Sequence, residues 1–192
     1  MKYYLWDCDS RYLSSNRYVK YEISKTTPEL EKEFEMSMLN GKSHQYFPSL
    51  EDWLPYRIVP DDSPKNLATK MLGDFCGIQI VSSRVREHLG DILERYGVLY
   101  PITLMNFEDE NREFFVYACS NILDCTDKER SVFAPTGSIL QCFLDHSKLV
   151  HEPEIFVNDR ILYVSEVFKE RVAKVKPKLT GFELREEGIH TN

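Results

Sequence analysis

The sequence predicts an α+β protein with a mixed, mainly antiparallel sheet, on which two similar strand–helix units pack. Two segments carry this prediction: IQIVSSRVREHL at residues 78–89 and ILYVSEVFKERV at residues 161–172. In each segment a short apolar strand leads to a serine, and apolar residues at helical spacing follow. Short strands bounded by turn residues fill much of the remaining chain, which favours antiparallel pairing.

The N-terminal stretch MKYYLWDCDS begins with an aromatic-rich strand at residues 2–6. A second strand at 18–23 is placed to pair with it. The run ELEKEFEM alternates with period two, which would allow a strand. A helix from Thr26 to Gly41 is favoured, since a hydroxyl cap and a proline precede apolar residues at helical spacing. A further helix is predicted over 62–75, with Leu67, Met71 and Phe75 on one face.

The two strand–helix units continue in the same way. Val85, Leu89 and Ile92 form an apolar stripe on the first helix, which Gly97 ends, and strands follow at 98–104 and 113–120. Near the C-terminus, strands at 155–157 and 161–164 flank an Asn-Asp turn and precede the second helix. Residues 182–184 form the last predicted strand. The similarity of the units fits an ancient duplication, two similar units packed about one sheet, or a chance resemblance between amphipathic elements, and the sequence leaves the three open.

The 192-residue chain is predicted to be a single domain, with an N-terminal arm (residues 1–60) that packs on a body (residues 61–192). The proline-containing stretch 43–63 is the candidate boundary between them. A hydrophobic fraction of 42% and an aromatic fraction of 12% are enough to fill a core. No apolar run reaches the roughly 20 residues of a membrane span, and no secretory signal is recognisable, so we expect a cytoplasmic protein.

Net charge and cysteine content narrow the possible classes of function. A net charge of −7 argues against a nucleic-acid-binding protein and suits a protein that meets a basic partner. The sequence has five cysteines, an odd number, and no C-x-x-C motif. We therefore expect reduced, mostly buried thiols rather than a zinc ribbon or a disulfide framework.

Asp7 and Asp9 form a D-x-D after the first strand. Strand alternation directs two such carboxylates to the same side, where they can hold Mg²⁺, so one hypothesis is a magnesium-dependent phosphatase or a nucleotide- or sugar-processing enzyme. That chemistry also requires a second apolar strand ending in Ser or Thr, a lysine for the phosphate and a late acidic pair. The sequence offers no convincing match for these, and the simpler interpretation is a solvated turn.

Other catalytic patterns are weak or missing. The sequence has no glycine-rich phosphate loop and no G-x-S-x-G, and helix capping accounts for Ser82 and Ser165. The pairs Asp145-His146 and His151-Glu152 would meet if a turn joined them, but their spacing matches no common metal rule. We therefore predict no catalytic, cofactor-binding or metal-binding residues and no cofactor.

A series of short motifs spans nearly the whole chain: Tyr3-Tyr4-Leu5, Pro48, Trp53, Val81-Ser82, Tyr117, Asn121, Asp124, Asp127, Ser131, Ile155-Phe156, Val164-Ser165-Glu166 and Leu179-Thr180-Gly181-Phe182. These residues and the order of the elements resemble a family of bacterial immunity proteins from polymorphic toxin systems, the eleventh catalogued immunity group, first known as a domain of unknown function. The last strand departs from the pattern at Leu184, where an aromatic residue would be expected.

The resemblance implies a non-enzymatic inhibitor that binds and neutralises a cognate toxin domain in the producing cell. Exposed acidic groups are candidate docking surfaces for a basic protein, because opposite charge steers association. The candidate partner-binding residues are Trp53, Asp61, Asp62, Glu108, Asp109 and Glu110. The sequence does not identify the toxin or its chemistry.

Overall fold

The computed structural model describes residues 1–8, 20–22, 50, 56–59, 69–70, 78–104, 113–137, 139–159, 161–179 and 182–186. Within these ranges the chain forms twelve strands in three sheets and two α-helices, α1 at Ser83–Tyr96 and α2 at Glu166–Lys174. The predicted α+β class is confirmed. None of the described helices is long and apolar enough to cross a membrane.

The first sheet has six strands in the order β2-β3-β6-β7-β5-β4. Every pairing in it is antiparallel except that between β3 and β6. Its strands in chain order are β2 (Lys20–Glu22), β3 (Tyr56–Val59), β4 (Thr69–Lys70), β5 (Ile78–Ser82), β6 (Gly97–Leu104) and β7 (Phe114–Cys119).

The second sheet has four antiparallel strands in the order β10-β11-β1-β12. Its strands are β1 (Tyr3–Cys8), β10 (Ile155–Asn158), β11 (Ile161–Ser165) and β12 (Phe182–Glu186). The two remaining strands, β8 (Val132–Phe133) and β9 (Ile139–Gln141), pair only with each other among the described residues. The N-terminal strand therefore lies between two strands from the C-terminal part of the chain.

The two strand–helix units lie in different sheets, β5–α1 in the first and β11–α2 in the second. Both helices begin as predicted, because a serine side chain accepts a hydrogen bond from the amide three residues later. The Ser82 hydroxyl accepts from the Val85 amide at 3.4 Å, and the Ser165 hydroxyl accepts from the Phe168 amide at 3.2 Å. The backbone angles of the two caps also match, at φ −80° and ψ 163° against φ −75° and ψ 166°.

The main core joins both helices to both sheets. The predicted stripe on α1 is buried in it, together with Phe168 and Val172 of α2 and aromatic residues of β1 and β7. A second core lies on the other face of β1 and includes Tyr3, Leu5, Phe156 and Tyr163. Because successive side chains of a strand point to opposite faces, β1 supplies both cores and is buried on both sides.

Two expectations about the N-terminal half are wrong. The strand near residue 20 pairs with β3 and not with the first strand. Thr69–Lys70 is an edge strand antiparallel to β5, where a helix over 62–75 was predicted. Pairing with a neighbouring strand overrides the local preference there, as tertiary contacts commonly do. The predicted helix from Thr26 to Gly41 lies outside the described residues.

Candidate functional site

The sequence-predicted site residues fall largely outside the described part of the chain. Trp53, Asp61, Asp62, Glu108, Asp109 and Glu110 lie outside it, and so does Asp9. The backbone of Asp7 lies within β1, paired with Glu183 of β12, and the strand continues to Cys8. Asp7 is therefore inside the strand and not at its end.

The clearest surface feature of the described residues is the hairpin of β8 and β9. Val132, Phe133 and Leu140 are exposed to 44%, 42% and 44%, although all three are large and apolar. Single exposed apolar residues are ordinary on protein surfaces, whereas larger exposed apolar patches are typical of interaction sites. We define this trio as the apolar hairpin.

The pairing of β8 with β9 has an irregular register. Val132 pairs with Gln141 and Phe133 pairs with Ile139, so Leu140 is an extra residue in β9. Such a bulge bends the strand and increases its twist. At the tip, the Gly137 amide donates to the Ala134 carbonyl at 2.8 Å, and Gly137 has φ +86°, a conformation that glycine adopts without strain.

The base of the hairpin is held by a compact set of hydrogen bonds. The Asp127 carboxylate accepts from the amides of Glu129 and Arg130, each at 3.1 Å. The Ser131 hydroxyl accepts from the Phe143 amide at 2.9 Å and donates to the Phe143 carbonyl at 3.3 Å. The Arg130 guanidinium lies 4.6 Å above the centre of the Phe143 ring. The exposed strands thus extend from a fixed base.

Below the base lies a buried polar cluster centred on Asn158, which is 1% exposed. Its side-chain oxygen accepts from the Cys125 amide at 2.9 Å. Its side-chain nitrogen donates to the Thr126 hydroxyl at 2.9 Å and to the Cys142 sulfur at 3.6 Å. These bonds tie β10 to the two segments that lead into and out of the hairpin. Ile139 of β9 also packs against the second core.

Cys119, Cys125 and Cys142 are free and buried, as predicted for the cysteines. Burial raises the pKa of the Cys119 thiol to about 11 and that of Cys125 to about 12. Burial raises the pKa of Cys142 as well. Since the thiolate is the nucleophile, these three thiols are poorly reactive at neutral pH.

The histidine–carboxylate pairs at 145–152 have other contacts. The Asp145 carboxylate accepts from the Ser147 amide at 3.1 Å and the Ser147 hydroxyl at 2.6 Å, which starts the 3-10 turn His146–Lys148. The His146 ring lies 5.9 Å from that of Tyr3. In the part of the chain that the structure describes, no three His, Cys, Asp or Glu residues come together in a group that could hold a metal ion.

Three residues of the family-like pattern have structural roles near the hairpin. The Asn121 side chain donates to the Ile155 carbonyl at 2.8 Å, and its backbone joins the outer edge of β10 through the bridge between Ile122 and Val157. Asp127 and Ser131 form the hairpin base. Asp124, which belongs to the same pattern, is exposed.

No family model matches the chain, and no curated protein matches it.

Sequence reasoning missed the hairpin. The available signal was SVFAPTGSILQ at residues 131–141, in which apolar residues flank a Pro-Thr-Gly turn. Exposure cannot be read from that pattern, because the same residues would suit a buried strand pair equally well.

Proposed function

We propose that this protein is an immunity protein, which binds a cognate bacterial toxin domain in the cytoplasm of the producing cell and neutralises it without catalysis. The single observation that carries the proposal is the apolar hairpin, a group of exposed large residues on a fixed base. The family-like order of elements supports the same class. The hairpin would form the apolar centre of the contact with the toxin.

The physical argument rests on how protein interfaces gain affinity. A few buried aromatic and aliphatic anchors at the centre supply most of the binding free energy. Burial of one side chain the size of Phe133 contributes about 1.5–3 kcal/mol. A base held by the Asp127 and Ser131 hydrogen bonds reduces the conformational entropy that binding would otherwise cost.

Charge adds a preference for the kind of toxin. The net charge of −7 speeds association with a basic domain and slows it with an acidic one. Trp53, Asp61, Asp62, Glu108, Asp109 and Glu110 remain predicted contact residues. Association that slows with rising salt would support the charge preference, since salt screens steering.

Co-expression tests the proposal. A toxin encoded beside this protein is produced in cells with no immunity protein, with this chain, and with its Phe133→Ser variant. Protection by the unchanged chain and its loss in Phe133→Ser would support the proposal. Val150→Ser is the matched control, because Val150 is 77% exposed and lies outside the hairpin. If the toxin kills equally well with and without the unchanged chain, the proposal fails.

The magnesium-dependent enzyme stays a prediction from Asp7 and Asp9. β1 lies antiparallel to both of its neighbours. Ligand sites of open α/β sheets lie instead at the carboxyl ends of parallel strands. Phosphatase turnover that disappears in Asp7→Asn would revive this alternative.

A further inference from the structure

The described strands follow one another in two matching series. From β1 to β6, a lone strand is followed by an antiparallel strand pair, a further strand, the β5–α1 unit and a closing strand. From β7 to β12, the same series recurs with the β11–α2 unit. The pair is β2–β3 in the first series and β8–β9 in the second.

The first strand of each series lies in the sheet of the other. β7 lies between β5 and β6, and β1 lies between β11 and β12. Both are antiparallel to their two neighbours. The four-strand arrangements β4-β5-β7-β6 and β10-β11-β1-β12 therefore have equivalent orders, with the opening strands exchanged.

The strand registers agree residue by residue. The cap Ser82 pairs with Phe114, and the cap Ser165 pairs with Tyr3. At the other end, the first residue of β6 pairs with the last of β7, and the first residue of β12 pairs with the last of β1. This equivalence aligns YYLWDC of β1 with FFVYAC of β7, which agree in aromatic and aliphatic character at the first four positions and in the final cysteine.

Side-chain contacts repeat as well. Arg86, four residues after its cap serine, lies 4.8 Å above the Phe115 ring of β7. Lys169, four residues after the other cap serine, lies 3.7 Å above the Tyr4 ring of β1. The register makes Tyr4 the counterpart of Phe115, so each helix places a cation over the same position of the exchanged strand.

We infer that the chain is a tandem duplication whose two repeats, β1–β6 and β7–β12, exchange their first strands reciprocally. It is a single-chain counterpart of a strand-swapped homodimer, since swapping of an identical element is a low-cost route to two-fold assemblies. Neither repeat completes its sheet without the other. Equal registers, equal caps and equal cation–ring contacts together are not expected from two unrelated amphipathic units.

Strand replacement tests this inference in the full chain. One variant gives residues 3–8 the β7 sequence through Tyr3→Phe, Tyr4→Phe, Leu5→Val, Trp6→Tyr and Asp7→Ala. The control has the same composition shifted by one residue, through Tyr3→Cys, Tyr4→Phe, Leu5→Phe, Trp6→Val, Asp7→Tyr and Cys8→Ala. A one-residue shift moves every side chain to the opposite face.

We expect the variant with the β7 sequence to fold, with its Tm lowered by less than about 15 °C. The shifted control should have a much larger decrease in Tm or fail to fold. Equal destabilisation of the two variants would overturn the inference. A second measurement uses a protease site placed between residues 104 and 113. After cleavage, the two halves should stay together in native gel filtration, and their separation would also overturn it.

Discussion

Trp6 and Tyr117 stack against each other, with ring centroids 6.2 Å apart and an angle of 26° between the rings. They hold equivalent positions in β1 and β7, so this contact lies where the two repeats meet. Their surroundings differ. Trp6 also stacks on Phe182, with ring centroids 5.0 Å apart, whereas Gly97 is the counterpart of Phe182 beside Tyr117.

Gly97→Ala should destabilise the protein strongly. A Cβ at this position would lie 2.7 Å from Cε2 of Tyr117 and 2.9 Å from the Cα of Cys119, and nearer still to the Ala118 carbonyl oxygen. Because two of these atoms belong to the backbone, we expect a loss of about 1–3 kcal/mol or more in urea unfolding. Gly90→Ala is the control, since its nearest contact is the Arg86 side chain at 3.4 Å. Equal losses at both positions would contradict this account.

The two cap serines should contribute similarly to stability. Ser82→Ala and Ser165→Ala each remove one hydrogen bond to an orphan amide of a helix N-terminus. We expect each change to lower the free energy of unfolding by about 1 kcal/mol, measured by chemical denaturation. Replacement of either serine by Thr should retain most of the stability. A Thr replacement as damaging as Ala would show that the hydroxyl bond is not the cause.

Asn158→Ala should destabilise the region below the hairpin. It leaves the buried Cys125 amide and Thr126 hydroxyl without the partner they have now. An unsatisfied buried group costs about 1–3 kcal/mol, so the loss should exceed that of Asn121→Ala, which removes one half-buried bond to Ile155. Hydrogen exchange of the Cys125 amide measures the effect locally. Unchanged exchange there would contradict the assigned role.

The Asp91–Arg171 pair should make stability weakly dependent on acid pH. The hydrogen bond from Arg171 lowers the pKa of Asp91 below its usual 3.8. The contribution of this carboxylate to the free energy of unfolding is therefore present above pH 3.8. It is lost as the pH falls through the lower pKa that Asp91 has in the folded protein. The pair is largely exposed, so we expect less than about 1 kcal/mol. Asp91→Asn should flatten this part of the stability curve, and an unchanged slope would argue against the pair.

The buried thiols should resist alkylation until the protein unfolds. At pH 8 their raised pKa values keep Cys119, Cys125 and Cys142 protonated, so iodoacetamide should label them only in denaturant, as peptide mass spectrometry would show. The raised thiol pKa values also stabilise the folded state at pH values below the usual thiol pKa of 9.0. This stabilisation is lost as the pH rises through the folded-state pKa of Cys119, about 11. Rapid labelling of all three in the native protein would contradict their burial.

The sequence by itself determined the local elements. Helix α1 and helix α2 follow from a cap serine and an apolar stripe, and both signals lie within a dozen residues, so neither depends on distant partners. The aromatic strand at the N-terminus and the Asn-Asp turn between β10 and β11 are equally local. For the same reason, the similarity of the two strand–helix units was visible in the sequence.

Only the tertiary structure decided which strands pair and which apolar residues stay exposed. β1 and β7 are equivalent, yet Tyr3 and Phe114 stand 111 residues apart while the cap serines stand 83 apart, so no single offset aligns both elements. Strand exchange depends on hydrogen bonds between distant segments, which local propensity does not encode. Exposure of Phe133 likewise depends on what packs against β8, because an apolar hairpin carries the same pattern whether it is buried or open.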